Sequence, residues 1–115
     1  MIPLEIVYYP SLDDGPVKRS LSGLIREKPK AYLRLAMDLE TLGFEGLSSS
    51  RLTIRALGAG LWELKRPFDG IAYRILFGLD GRRLWLVDFY EKESRKLPLH
   101  IRDRALKRLR QVVIR

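Results

Sequence analysis

The stretch "GIAYRILFGLDGRRLWLVDFYEK", Gly70 to Lys92, holds two apolar runs on either side of an Asp-Gly pair. Apolar runs that alternate with other residues and meet at Asp-Gly are the strongest short-range signal for a β-hairpin. A second Asp-Gly pair, Asp69-Gly70, links the first run to the preceding "LWELKRPF". Three strands follow, "LWELKRPF", "IAYRILFG" and "RLWLVDFYEK", forming a β-meander. Charge sits inside these strands: Arg74 in the second, Asp88 and Lys92 toward the end of the third. An arginine in a strand that is otherwise apolar is either a member of a structural ion pair or a cation held for an anionic substrate.

Upstream, "LEIVYY" is a short β-rich run closed by Pro10 and the turn-forming "SLDDG", which predicts a first strand. Pro16 suits a first helical position, and Val17, Leu21, Leu24 and Ile25 form one apolar stripe that ends before Pro29. Tyr32, Leu35, Ala36, Leu39 and Leu42 repeat the helical period, and Gly43 is placed for a left-handed cap, so the two segments predict an αα-hairpin. Residues 44 to 60 mix Gly and Ser and are read as loop, with room for one short strand in "LTIRAL". Downstream, Pro98 opens a last helix in which Ile101, Ala105, Leu109 and Val112 face one way. Arg102, Arg104, Lys107, Arg108 and Arg110 occupy much of its remaining surface. The order β-α-α-β-β-β-α is that of an α+β fold, with helices expected on one face of a mainly antiparallel sheet.

Composition limits the chemistry. A chain of 115 residues, 46% hydrophobic, suffices for a single domain with one modest core. It has no Cys and a single histidine, His100, too few for a zinc site or a Ser-His-Asp triad, so chemistry without metal or cofactor is expected. The start, "MIPLEIVYYP", lacks the pattern of a signal peptide, and no run approaches a membrane span, so a soluble cytoplasmic protein with no membrane partner is expected. The net charge of +8 is uneven: residues 82 to 115 carry 11 Lys/Arg against 4 Asp/Glu. Such a field attracts phosphate backbones, acidic proteins or anionic membranes, and a solvated basic helix would give the same count.

Strand alternation places Arg74 on one face with Ala72 and Leu76, and Tyr73, Ile75 and Phe77 on the other. By the same rule Asp88, Tyr90 and Lys92 share a face, opposite Val87, Phe89 and Glu91, while Glu63 and Lys65 lie together on the preceding strand. If the helices cover the apolar face, Lys65, Arg74, Tyr90 and Lys92 line an exposed concave side. Cations beside a stacking ring suit single-stranded nucleic acid. Pairing of Arg74 with Glu63 or Asp88 across neighbouring strands is the structural alternative, and Trp62 reads as a core aromatic.

At these residues the chain resembles the RelE/HigB-like toxins of type II toxin-antitoxin modules, in particular their phage-derived HigB-type branch. "LEIVYY" looks like the opening strand of that branch. "LGAGLWELK" is similar to its Leu-Gly-x-Gly-Leu-Trp/Tyr-Glu-Leu-Arg motif, and "AYRILF" to its Tyr-Arg-Ile-Leu strand. "FYEKESRKLP" resembles a Phe-x-Lys-Lys-x-x-Lys-Thr-Pro signature; aligned on Pro98, Tyr90, Lys92 and Lys96 match, whereas Glu93 and Leu97 replace its second lysine and its threonine.

The resemblance implies a RelE-like fold and a ribosome-dependent mRNA endoribonuclease that needs no metal. The implied partners are mRNA on the ribosome, ribosomal RNA and a helix-turn-helix, HigA-like antitoxin. Arg74, Lys92 and Lys96 would be the catalytic set and Lys65, Tyr90 and Arg95 the RNA-binding set. In that chemistry the 2′-OH of the RNA attacks the adjacent phosphate. Arg74 would hold the transition state through its planar fork of donors, and Lys92 or Lys96 would supply a second cation or the general acid. Clustered cations favour the neutral form of a lysine, which could then act as base. A non-catalytic nucleic-acid or ribosome-binding module, or a subunit for an acidic protein partner, is compatible with the same residues.

Overall fold

The computed structural model describes residues 3–92 and 96–113. In chain order these form β1 (Glu5–Tyr8), α1 (Pro16–Glu27), α2 (Pro29–Glu45), a 3-10 turn (Gly46–Ser48), β2 (Thr53–Gly58), β3 (Leu61–Phe68), β4 (Ile71–Asp80), β5 (Arg83–Lys92) and α3 (Leu99–Val112). The strands make one sheet in the order β1-β5-β4-β3-β2, in which β1 runs parallel to β5 and the other pairs are antiparallel. The fold is α+β, as expected. It has one strand more than the expected order, because "LTIRAL" contributes β2 at the sheet edge.

The meander follows from its turns. Phe68 pairs with Ile71, so Asp69 and Gly70 form a two-residue loop, both at positive φ (53° and 80°). That is the backbone demanded by a type I′ hairpin. Ala59 and Gly60 repeat it between β2 and β3, at 53° and 82°. After β4 the loop lies one residue later than the Asp-Gly pair suggests: Asp80 pairs with Arg83, leaving Gly81 and Arg82 as the turn.

In the αα-hairpin, Val17, Leu21 and Leu24 of α1 face inward with Ala31, Leu35, Leu39 and Leu42 of α2. Ile25 is exposed, so the α1 stripe is narrower than its spacing suggests. Gly43 does not cap α2, which continues to Glu45; Gly46, at φ 75°, ends it. Gly43 is buried, and its carbonyl accepts a hydrogen bond from the Leu4 amide at 2.8 Å. Before α1, Gly15 has φ 146°, and a Cβ there would fall 1.7 Å from the Tyr9 carbonyl oxygen, so only glycine fits.

The expectation that helices cover one face is corrected. The α1–α2 hairpin packs on the face carrying Leu64, Tyr73, Ile75, Phe77, Leu84 and Leu86, with Trp62 packed against this core. Helix α3 packs on the opposite face, where Ile101, Ala105, Leu106 and Leu109 meet Val7, Leu61, Leu76, Trp85 and Val87. The physical reason is the continuous burial of β4 from Tyr73 to Gly78 and of β5 from Leu84 to Asp88. A strand buried on both sides needs a cover on both sides. Gly78 marks the closest approach of α3: a Cβ there would lie 2.5 Å from Leu109 Cδ1 and 3.1 Å from the Gly60 carbonyl oxygen. Gly78→Ala is therefore expected to lower stability by about 1–3 kcal/mol through overpacking, read from urea unfolding. No helix among the described residues is long and apolar enough to cross a membrane.

Candidate nucleic-acid interface

The sheet register brings the candidate residues together. Lys65 pairs with Arg74, and Arg74 with Tyr90, so the three lie side by side across β3, β4 and β5. Lys92 follows two residues along, opposite Ala72. Lys65 and Tyr90 are half-buried, while Lys92 and Lys96 are exposed. Tyr90 and Leu97 both pack against the apolar cluster under α3. Arg95, with the departure at Glu93, lies outside the described residues.

Arg74 departs from the expected exposed position. Its side chain is 1% exposed, and its Nε lies 3.3 Å from Oε2 of Glu63, itself 3% exposed. Arg55, opposite Glu63 on β2, approaches the other oxygen at 3.4 Å. One buried carboxylate thus stands between two arginines, and the cross-strand ion pair with Glu63 is present. A strand interior excludes water from both groups, so each charge depends on the other, and removing one would leave its partner buried and uncompensated.

Asp88 is not the partner of Arg74. Between Leu76/Asp88 and Phe77/Leu86 the register shifts, leaving Val87 as the extra residue of a β-bulge. The bulge overturns the expected alternation: Val87 packs under α3 instead of sharing a face with Phe89. Asp88, 2% exposed, meets α3 as well. Arg104 donates to both its oxygens at 2.7 Å, and Arg108 lies 3.4 Å from Oδ2. The hydrogen bonds to Asp88 raise the pKa of the Arg104 guanidinium, against the opposing effect of burial. Arg108 also donates to the Val87 carbonyl at 3.0 Å and sits over the Tyr9 ring.

Arg102 donates to the Leu57 carbonyl at 3.0 and 3.3 Å. Three cations of the basic helix therefore fasten it to the sheet, and Lys107 and Arg110 remain exposed. A second pair not anticipated from the sequence, Arg66 with Asp38 at 2.6 and 2.7 Å, ties β3 to α2. Its signal was the spacing: Asp38 falls between Leu35 and Leu42 on the buried stripe of α2. His100 is exposed in the first turn of α3. No group of three or more His, Cys, Asp or Glu among the described residues is disposed to hold a metal ion.

The arrangement amounts to an aromatic ring and exposed lysines at the end of the meander where α3 begins. Such a surface can hold a phosphate and stack a base. No curated protein and no solved structure matches the chain. A family model described as phage-derived protein Gp49-like (DUF891) matches residues 21–110, which run from α1 into the last turn of α3. The chain thus belongs to the phage-derived Gp49-like family, a family associated with toxin-antitoxin systems.

Proposed function

We propose that this protein is the toxin of a type II toxin-antitoxin module, a RelE/HigB-like endoribonuclease that cleaves mRNA on the ribosome in the cytoplasm and is silenced by a HigA-like antitoxin. The observation that carries the reading is the cross-strand row of Lys65, Arg74 and Tyr90, with Lys92 beside it. Neighbouring strands are about 4.8 Å apart, so Lys65 and Tyr90 stand about 10 Å from each other. A nucleotide laid across the row meets a cation at one end and a ring at the other.

The reaction uses the nucleophile that RNA carries. The 2′-oxygen forms a bond to the adjacent phosphorus while the bond from phosphorus to the 5′-oxygen breaks. A base takes the 2′-OH proton, an acid protonates the departing oxygen, and a 2′,3′-cyclic phosphate and a 5′-OH result. Lys92 and Lys96 are the exposed cations that would offset the added negative charge and deliver the second proton. Tyr90 would stack on a splayed base and Lys65 would hold the backbone. Arg74, buried on Glu63, would act from beneath by positioning strand β4 and adding positive potential.

That burial also favours a second reading, a ribosome- or nucleic-acid-binding module without cleavage. Induced expression in a bacterium, with translation rate and mRNA 5′-ends followed together, separates the two. Growth arrest with new ends inside translated messages is expected. Normal growth with soluble protein and intact messages would overturn the nuclease reading.

A further inference from the structure

A cavity of about 170 Å³ lies between α1 and α3 beside the edge of β5, lined by Pro16, Val17, Ser20, Asp88, Phe89, Arg104 and Arg108. Its charge is unbalanced. The carboxylate of Asp88 is the one acidic group in the lining, and its oxygens already accept from Arg104, from the Phe89 amide at 2.9 Å and from the approach of Arg108. Two guanidiniums therefore share one carboxylate, and the lining keeps a net positive charge. Arg104 Nη1 and Arg108 Nε and Nη2 make no hydrogen bond among the described residues, so donors remain for an incoming acceptor. Asp88 holds both side chains in place, which removes most of the ordering cost of binding an anion. Ser20 adds a hydroxyl from the α1 wall.

We propose that this cavity is a phosphate subsite, taking one backbone phosphate of the RNA beyond the nucleotide on Tyr90. The assignment to RNA rests on the function proposed above; the anion site itself rests on the two arginines. Asp88 and Tyr90 are two residues apart on β5, about 7 Å along the strand, so one single strand reaches both places.

Ser20 allows a test that spares the ion pairs. It is exposed and makes no hydrogen bond to Asp88, whose partners are Arg104, Arg108 and the Phe89 amide, so Ser20→Glu and Ser20→Lys should fold with unchanged melting temperature. The measurement is the affinity of a short fluorescent single-stranded RNA across a salt series, beside cleavage on programmed ribosomes. Ser20→Glu is expected to weaken RNA binding about tenfold and to reduce the salt slope by about 0.7, the loss of one phosphate contact. Ser20→Lys is expected to strengthen binding. Equal affinities and slopes in all three proteins would overturn the subsite, whether or not the wild type cleaves. Weakened RNA binding by Ser20→Glu in a protein that never cleaves would support the subsite and remove the nuclease. Thermal stabilisation by inorganic phosphate that disappears in Ser20→Glu, with RNA affinity unchanged, would overturn the RNA assignment in favour of a small anion.

Discussion

Replacing Arg74 with alanine is expected to lower the folding free energy by about 3–5 kcal/mol, the scale for removing one partner from a buried ion pair. The loss arises on the partner left behind. Glu63 is 3% exposed, and its remaining ion-pair partner among the described residues is Arg55, whose side chain is 59% exposed. Urea unfolding measures the loss directly. The double variant Arg74→Met with Glu63→Leu should recover much of it, because no charge is then stranded in the strand interior. Single-turnover cleavage at a temperature where Arg74→Ala is fully folded completes the test. Activity that survives in proportion to the folded fraction assigns the residue to the scaffold. Unchanged stability with lost cleavage would instead place the guanidinium on the substrate. Arg74→Lys sharpens the outcome, since lysine keeps the charge and loses the planar fork.

The largest effect on activity is expected from the two exposed lysines. Lys92→Ala combined with Lys96→Ala should reduce single-turnover cleavage on programmed ribosomes by roughly two to three orders of magnitude, the scale for losing preorganised charge at a developing oxyanion. Melting temperature should move little, because surface substitutions and exposed ion pairs contribute little to stability. Each single variant then shows which lysine carries the larger share. A double variant that cleaves at the wild-type rate would remove both from the chemistry and turn attention to Lys65 and Tyr90.

The meander was legible because two independent patterns agreed on it: runs of apolar, β-branched and aromatic residues, and Asp-Gly pairs at a turn or one residue from it. Strand β2 was harder to see for reasons visible in its backbone. Its register shifts between Ala56 and Gly58, and its turn places Ala59, an unusual residue, at positive φ. Its two half-buried apolar residues, Ile54 on the α1–α2 side and Leu57 on the α3 side, stand three apart on opposite faces, so the strand shows no one-faced apolar alternation by which to recognise it. The bulge at Val87 was invisible for a related cause. An extra residue leaves no mark in composition, yet it decides which side chains reach α3. The shared face of Lys65, Arg74 and Tyr90 followed from strand alternation, since it lies on the unbulged part of the register. The depth of Arg74 did not. A cation in a strand reads as a surface marker until the carboxylate that neutralises it is placed, and Glu63 is eleven residues away in sequence.

The parallel pairing of β1 with β5 gives the chain an order of assembly. Hairpins β2–β3, β3–β4 and β4–β5 close over two-residue loops, so their contacts form at small entropic cost. Strand β1 has no such neighbour: Glu5 pairs with Arg83 and Tyr8 with Leu86, across most of the sequence. Contacts so distant along the chain form late. During synthesis the first strand must therefore wait, unpaired, until β5, the last of the five strands, has been made. A polypeptide of this topology completes its sheet only after every other strand has been made.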